Sequence, residues 1–466
     1  MTNYEQNERP LLSRRAALRA TTAGFGWLAL RGMLSAQSSG VLGSNLHHAA
    51  RAKRVIFLSM AGAPSHVDTF DYKPQLTKDS GKDAPGQSRR GRKLLGSPWD
   101  FHQSGKSGLW ISELFPELSK QADHLCMLHG MQTDVPAHSQ AFVRMHTGST
   151  QFVRPSLGSW LHYGLGSSNE NLPGFVTFNP PSAQGGAANY GSAFLPAQHQ
   201  GMRIGIERES RVLRQDERPE PIANIRPPRA TTEAQRRQLD LVQKLNKESN
   251  RRRKGDDAIE GVIESYELAY RMQAELPELL DLSGEKEKTL DLYGIGQEET
   301  NEFGRQCLMA RKLAEQGVRF IEVNQGGWDH HRNLREALPA SCRGVDKPIA
   351  GLLADLERTG LLEETLVLWS GEFGRTPYAQ NGDGRDHNNR GYTSWMAGGG
   401  VKGGFRYGET DPYGIEAVDG KVSTHDWHAT ILHIMGVDHE QLTYNWAGRD
   451  FRLTDVHGAV LKDILA

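Results

Sequence analysis

Three stretches decide how this chain folds: VRFIEVN (Val318–Asn324), VDKPIAGLLADLERTG (Val345–Gly360) and TLVLWSGE (Thr365–Glu372). The third is apolar without alternation, and the first mainly apolar without alternation apart from Arg319 and Glu322, as strands covered on both faces are. The second reads as a helix. Strand, helix, strand is the unit that builds a parallel sheet. Working outward, a helix is expected over about Glu302 to Gln316, with Phe303, Cys307, Leu308, Ala310, Leu313 and Ala314 at helical spacing. KRVIFLSM (Lys53–Met60), HLCMLHGM (His124–Met131), GFVTFN (Gly174–Asn179) and YTSWMAGGG (Tyr392–Gly400) read as further strands. HDWHATILHIMG (His425–Gly436) closes as a helix with a glycine stop. The expected fold is α/β: a doubly wound, mostly parallel sheet with helices on both faces.

The 466 residues suffice for one large or two ordinary domains. Lys and Arg total 55 against 56 Asp and Glu, a net charge of -1. Such a balance gives no field for nucleic acid or an anionic membrane. The basic run Arg251 to Lys254 is offset by Asp256, Asp257 and Glu260 and reads as a solvated helical face. Near the start, Arg14 and Arg15 follow Ser13 and precede a mild apolar run, Ala20 to Leu30, too short to span a membrane. This suits a twin-arginine export signal over residues 1–36, cleaved after Ala36, and a periplasmic or extracellular protein. A loose segment over 37–52 and one domain over 53–466 are expected, with a helical insertion at about 203–282. Cys126, Cys307 and Cys342 form no metal-binding pair; one disulfide among them is open to an exported protein, with the pairing undetermined.

Ligands of open α/β sheets bind outside the carboxyl ends of the strands. After VIFLSM come His66 and Asp68. After the strand ending at Met131 come His138 and Ser139. After FIEVN come Asp329, His330 and His331. After LVLWSG come Glu372 and Arg375, then Asp386 and His387. Four strand ends thus deliver His, Asp or Glu, mostly beside glycines. Carboxylates gathered without compensation cost several kcal/mol per desolvated ion, and a divalent cation compensates best. Imidazole with carboxylate suits Zn²⁺, Mn²⁺ or Fe²⁺; carboxylate-rich sets suit Ca²⁺ or Mg²⁺. The candidate ligands are His66, Asp68, Asp329, His331, Glu372, Asp386 and His387. The plain alternatives are an Asx turn at Asp386–His387, and Arg375 and Arg385 salt-bridging the carboxylates.

GGWDHH, WSGEFGRTP, GRDHN and the segment from His425 to Gly458 together resemble the domain-of-unknown-function 1501 family of exported bacterial proteins. That family is similar to the alkaline-phosphatase/sulfatase superfamily. The resemblance implies an alkaline-phosphatase-like fold, one or two metals at the carboxyl edge, and hydrolysis of sulfate or phosphate esters. Carried over by position, Asp329 falls on the strand-end Asp, with His331 in place of a His that usually follows later. Glu372 falls on an Asp, Phe373 on a His, and His387 on the later metal-binding His. Ala61 stands where the first strand usually gives Asp, leaving His66 or Asp68 to compensate. His138 falls at the nucleophile position, with Ser139 beside it. The sulfatase Cys-x-Pro-x-Arg signature is absent.

The function this implies is an exported hydrolase of anionic small-molecule or polysaccharide esters, dependent on a divalent metal (Zn, Ca, Mg or Mn). His138, Ser139 and Arg375 are its candidate catalytic groups: ligand or base, nucleophile, and neutraliser of anionic charge. The rival is a non-catalytic metal- or glycan-binding relative. A partnership with secreted cytochrome-like proteins rests on the resemblance alone.

Overall fold

The computed structural model describes residues 46–85, 91–205, 232–252 and 257–466. The expected export signal lies outside them, as do parts of the helical insertion. Among the described residues, nine strands form the main sheet. In chain order they are β1 (Arg54–Met60), β2 (Leu125–Gln132), β3 (Phe175–Phe178), β4 (Met202–Ile204), β5 (Phe320–Gln325), β6 (Thr365–Ser370), β7 (Tyr392–Gly398), β8 (Phe405–Tyr407) and β9 (Val422–Ser423). The sheet runs β8-β2-β7-β6-β1-β5-β3-β4, with β9 also paired to β2. The centre is parallel: Val55 of β1 sits opposite Phe320 of β5 and Leu366 of β6. Only β7 opposes its neighbours, β6 and β2. The carboxyl ends of β1, β2, β5 and β6 therefore share one edge.

The alternation of side chains along β1 separates two cores. Ile56, Leu58 and Met60 face one side, where they join Leu308 and Leu313 of α5 (Asn301–Glu315) and Val345 and Leu352 of α6 (Leu334–Arg358). Val55 and Phe57 face the other, packing with Phe142 of α1 (His138–Thr147), Trp160 of α2 (Leu157–Leu165) and Ile431 of α7 (Thr424–Ile434). Helices on both faces explain why the central strands read as continuous apolar runs. The described parts of the helical insertion include α3 (Thr232–Arg252) and α4 (Asp257–Leu280). The helix α7 begins at a capping box in which Ser423 and Asp426 satisfy each other's backbone N–H.

One element has no counterpart in the sequence reading. Residues Gly374–Gln380 and Gly384–Asn388, here β10 and β11, form an antiparallel hairpin beside the sheet edge. A register shift between Arg385 and His387 brings His387 opposite Arg375. Bulges of this kind re-aim side chains at the rims of sheets. Cys126, Cys307 and Cys342 are all buried and unpaired. Among the described residues no helix is long and apolar enough to cross a membrane.

Candidate metal centre

Four loops meet at the shared edge, and one glycine makes the meeting close. Gly62 follows β1 with φ +110°, and a Cβ there would lie 2.8 Å from the Asp329 backbone nitrogen. Only glycine tolerates both the dihedral and the approach. Its N–H donates to both oxygens of Glu372 at 3.1 and 3.2 Å, and its carbonyl accepts from Arg375 Nη2 at 2.5 Å. The loops after β1, β5 and β6 are thereby tied at a single peptide.

Around this knot, ligand atoms of His138, Asp329, His331 and His387 all lie within 4.8 Å of one another. Asp329 Oδ1 is the focus. It is 2.9 Å from His331 Nε2, 3.1 Å from His138 Nε2 and 3.7 Å from His387 Nε2. Each imidazole turns its other nitrogen outward to an oxygen. His138 Nδ1 meets Glu372 Oε1 at 2.5 Å, His331 Nδ1 meets Gln380 Oε1 at 2.5 Å, and His387 Nδ1 meets the Pro136 carbonyl at 2.6 Å. All three partners are acceptors, so with an ion bound each Nδ1 would donate its proton outward and each Nε2 would offer its lone pair inward. This is how proteins orient metal-binding histidines.

The Arg375 guanidinium is the fixed positive charge on the inward side, with Nη2 on Asp329 Oδ1 and Nη1 3.5 Å from His331 Nε2. His331 Nε2 and His387 Nε2 are 3.0 Å apart, and two lone pairs at that distance repel unless a cation or proton lies between them. His138 Nε2 is buried and faces Asp329 Oδ1 at 3.1 Å. Burial opposes a charge on His138, but Asp329 and Glu372 outweigh it and raise its pKa to about 9. Burial likewise opposes ionisation of Asp329, yet His138, His387 and Arg375 hold its carboxyl far below the usual range. A proton thus fills a place that a metal ion would take. Three imidazoles and one carboxylate fit a divalent first-row ion well.

Arg375, read from the sequence as an anion-neutralising group, is 1% exposed. Its Nε donates to the Ala63 carbonyl at 3.0 Å and its Nη2 to Asp329 Oδ1 at 2.5 Å. It braces the carboxylate. Glu372, 1% exposed, stands behind His138 as the acceptor for its Nδ1. Phe373 walls the cluster, its ring 4.8 Å from that of His138 and 4.7 Å from that of His387.

The other expected residues are not among the four and are held by other partners. Asp68 is paired with Arg385 (2.5 and 2.9 Å), both fully buried, and also accepts from Ser65 Oγ at 2.5 Å. Asp386 pairs with Arg92 at 2.9 Å and accepts from the His387 backbone N–H. His66 Nε2 meets the Gly414 carbonyl at 2.9 Å. Ser139 is exposed and donates to the Ala183 carbonyl at 3.2 Å. Gln380 and Pro136, which hold the rings of His331 and His387, escaped the sequence reading. Neither a glutamine at the end of a strand nor a carbonyl carries any signal of its own.

Comparison with known proteins bears on ancestry. The family model described as "Protein of unknown function (DUF1501)" matches residues 52–465. The chain belongs to this family. No curated protein matches the sequence. Among solved structures similar to this DUF1501 member is the PsFucS1 sulfatase from Pseudoalteromonas sp., at 13% identity and TM-score 0.36, covering 89% of this chain and 71% of that one. Another is the alkaline phosphatase of the Antarctic bacterium TAB5, at 10% identity and TM-score 0.35, covering 82% and 98%. A third is the lipoteichoic acid synthase LtaP from Listeria monocytogenes, at 9% and 0.35, covering 89% and 78%. These likenesses are distant, and the chemistry of the DUF1501 chain has to be read from its own geometry.

Proposed function

We propose that this protein is an exported, metal-dependent hydrolase of sulfate or phosphate esters. The observation that carries the metal is the arrangement of three imidazoles, each with Nδ1 satisfied by an oxygen and Nε2 turned toward Asp329. His138, Asp329, His331 and His387 would hold the ion. The donor set favours Zn²⁺ or another first-row ion over Ca²⁺ and Mg²⁺, which take oxygen ligands. Such an ion supplies Lewis-acid polarisation of an ester oxygen and a lowered pKa for water. Export is supported by Arg14, Arg15 and the apolar run behind them.

The chain's own groups have distinct tasks in this reading. Glu372 and Gln380 fix the rings of His138 and His331. Arg375 keeps Asp329 ionised and aimed. Asp329 is 47% exposed at its side chain, so the cluster opens toward solvent, where an anionic ester can approach. Water is the attacking group, because the Ser139 hydroxyl is turned to the Ala183 carbonyl. The outward Ser139 also favours the second reading, a metal-binding module without catalysis.

Elemental analysis of exported, gently purified protein, followed by assay against aryl sulfates and aryl phosphates, tests both. Near-stoichiometric metal with turnover that disappears in His331→Ala is expected. Metal without turnover on any ester would leave the binding module, and protein without metal would overturn both.

A further inference from the structure

A cleft of about 330 Å³ opens between the carboxyl end of α1, the loop around Phe152 and the C-terminal segment around Phe451. Arg144, Arg154, Arg449 and Arg452 line it, against the carboxylates of Asp134 and Asp455. Three of the four arginines are engaged. Arg144 lies 3.4 Å from Asp134, Arg449 2.6 Å from Asp455, and Arg452 3.3 Å from Glu440. Arg154 makes no hydrogen bond or ion pair among the described residues. Its guanidinium instead lies 4.3 Å from the ring centre of Phe451, 5.1 Å from that of Phe152 and 5.9 Å from that of Phe194.

Aromatic faces hold a guanidinium by its plane and leave its N–H edge free. That edge matches the paired oxygens of a sulfate, phosphate or carboxylate. A flat apolar surface adjoins it. Trp446, 51% exposed, stacks on Phe194 at 6.1 Å and 19°, and Tyr444 stacks on the same ring at 5.9 Å and 18°. Stacked rings beside a free guanidinium suit a sugar ring that bears an anionic group. The cleft also shares a loop with the metal centre, since Asp134 lines it and the Pro136 carbonyl holds His387.

We propose that this cleft is a second binding site, taking an oxyanion group borne on a saccharide, with Arg154 as its anchor. It stands whether or not the metal centre hydrolyses anything. Calorimetric titration of the full chain with 6-O-sulfated N-acetylglucosamine, and with the unsulfated sugar, tests it. The sulfated sugar should bind with a Kd of about 1 mM or tighter, and the unsulfated one far more weakly. Arg154→Met should cost about tenfold or more in affinity, and Arg154→Lys, which keeps the charge without the planar fork, should fall between. Unchanged melting temperatures would show that both variants are folded. Asp329→Asn should bind the sugar as the wild type does. The proposal is overturned if the wild type binds neither sugar, if Arg154→Met binds as tightly as wild type, or if the unsulfated sugar binds equally well. It is equally overturned if Asp329→Asn abolishes binding, which would place the sugar at the metal centre.

Discussion

The amide oxygen of Gln380 lies 2.5 Å from His331 Nδ1, so a residue at the tip of a hairpin sets which nitrogen of a candidate ligand faces the metal centre. The contact exists because β10 and β11 fold back over the loop after β5. Gly384 of β11 sits against the His331 backbone, where a Cβ would come within 2.0 Å of its carbonyl. Gln380→Ala should therefore leave the fold intact and weaken metal binding by roughly 10–100-fold, the usual cost of losing a partner behind a ligand. Competition against a chromogenic chelator measures this. An unchanged affinity would mean that the ring is held by its other contacts.

Asp68 offers a stability test that also separates two roles for one carboxylate. It is fully buried against Arg385, and breaking a buried pair leaves an uncompensated charge. Asp68→Ala should destabilise by about 3–5 kcal/mol. Removing both charges in Asp68→Ala/Arg385→Met should recover much of that loss, because no lone charge stays buried. Metal content per folded chain should be the same in wild type and double variant. A double variant that is folded but metal-free would make Asp68 part of the metal centre.

These two cases show what the sequence can and cannot disclose. The central strands were legible because burial on both faces forces continuous apolar runs, and parallel strands put their carboxyl ends on one edge. That rule gathered ten candidate residues, of which His138, Asp329, His331 and His387 converge, while His66, Asp68, Ser139, Glu372, Arg375 and Asp386 make other contacts. The hairpin was not legible, since GRTPYAQ and GRDHN lack the alternation of a half-buried strand. Nor does an aspartate in a sequence show whether it faces a cation or a guanidinium. Asp68 and Asp386 have the same chemistry as Asp329, and only the fold sends them to Arg385 and Arg92.

Acid titration of stability should reveal a carboxyl that is not among the metal-centre residues. Asp346 on α6 is 4% exposed and accepts the backbone N–H groups of Glu117 and Leu118 at 2.9 and 2.8 Å. Burial nevertheless outweighs those bonds and pushes its pKa up to about 6 from 3.8. Between those values the folded chain holds a proton that the unfolded chain has lost. The contribution of Asp346 to stability therefore falls as pH rises from about 4 to 6, by about 3 kcal/mol in all. Urea unfolding of wild type and Asp346→Asn across that range checks the sign. The variant should gain on the wild type as pH rises, and a constant difference would refute the shift.

The last prediction concerns how an ester would be attacked. Ser139 follows His138 in the chain, at the position where a covalent nucleophile is easiest to imagine, yet it is exposed and donates to the Ala183 carbonyl. Asp329 is the point on which three imidazoles and Arg375 converge. If water attacks, Ser139→Ala should keep kcat within about twofold, and rapid mixing should show no burst of released alcohol or phenol. Asp329→Asn should lower kcat/KM by about 1,000-fold or more, since it removes one ligand and leaves Arg375 buried without its carboxylate. The comparison is informative because Asp329 lies on a loop and Ser139 in the first turn of α1, both outside the sheet, so circular dichroism should be unchanged in each variant. A pre-steady-state burst in the wild type that vanishes in Ser139→Ala would instead establish a covalent intermediate on the serine, and would require its side chain to swing away from Ala183 when substrate binds.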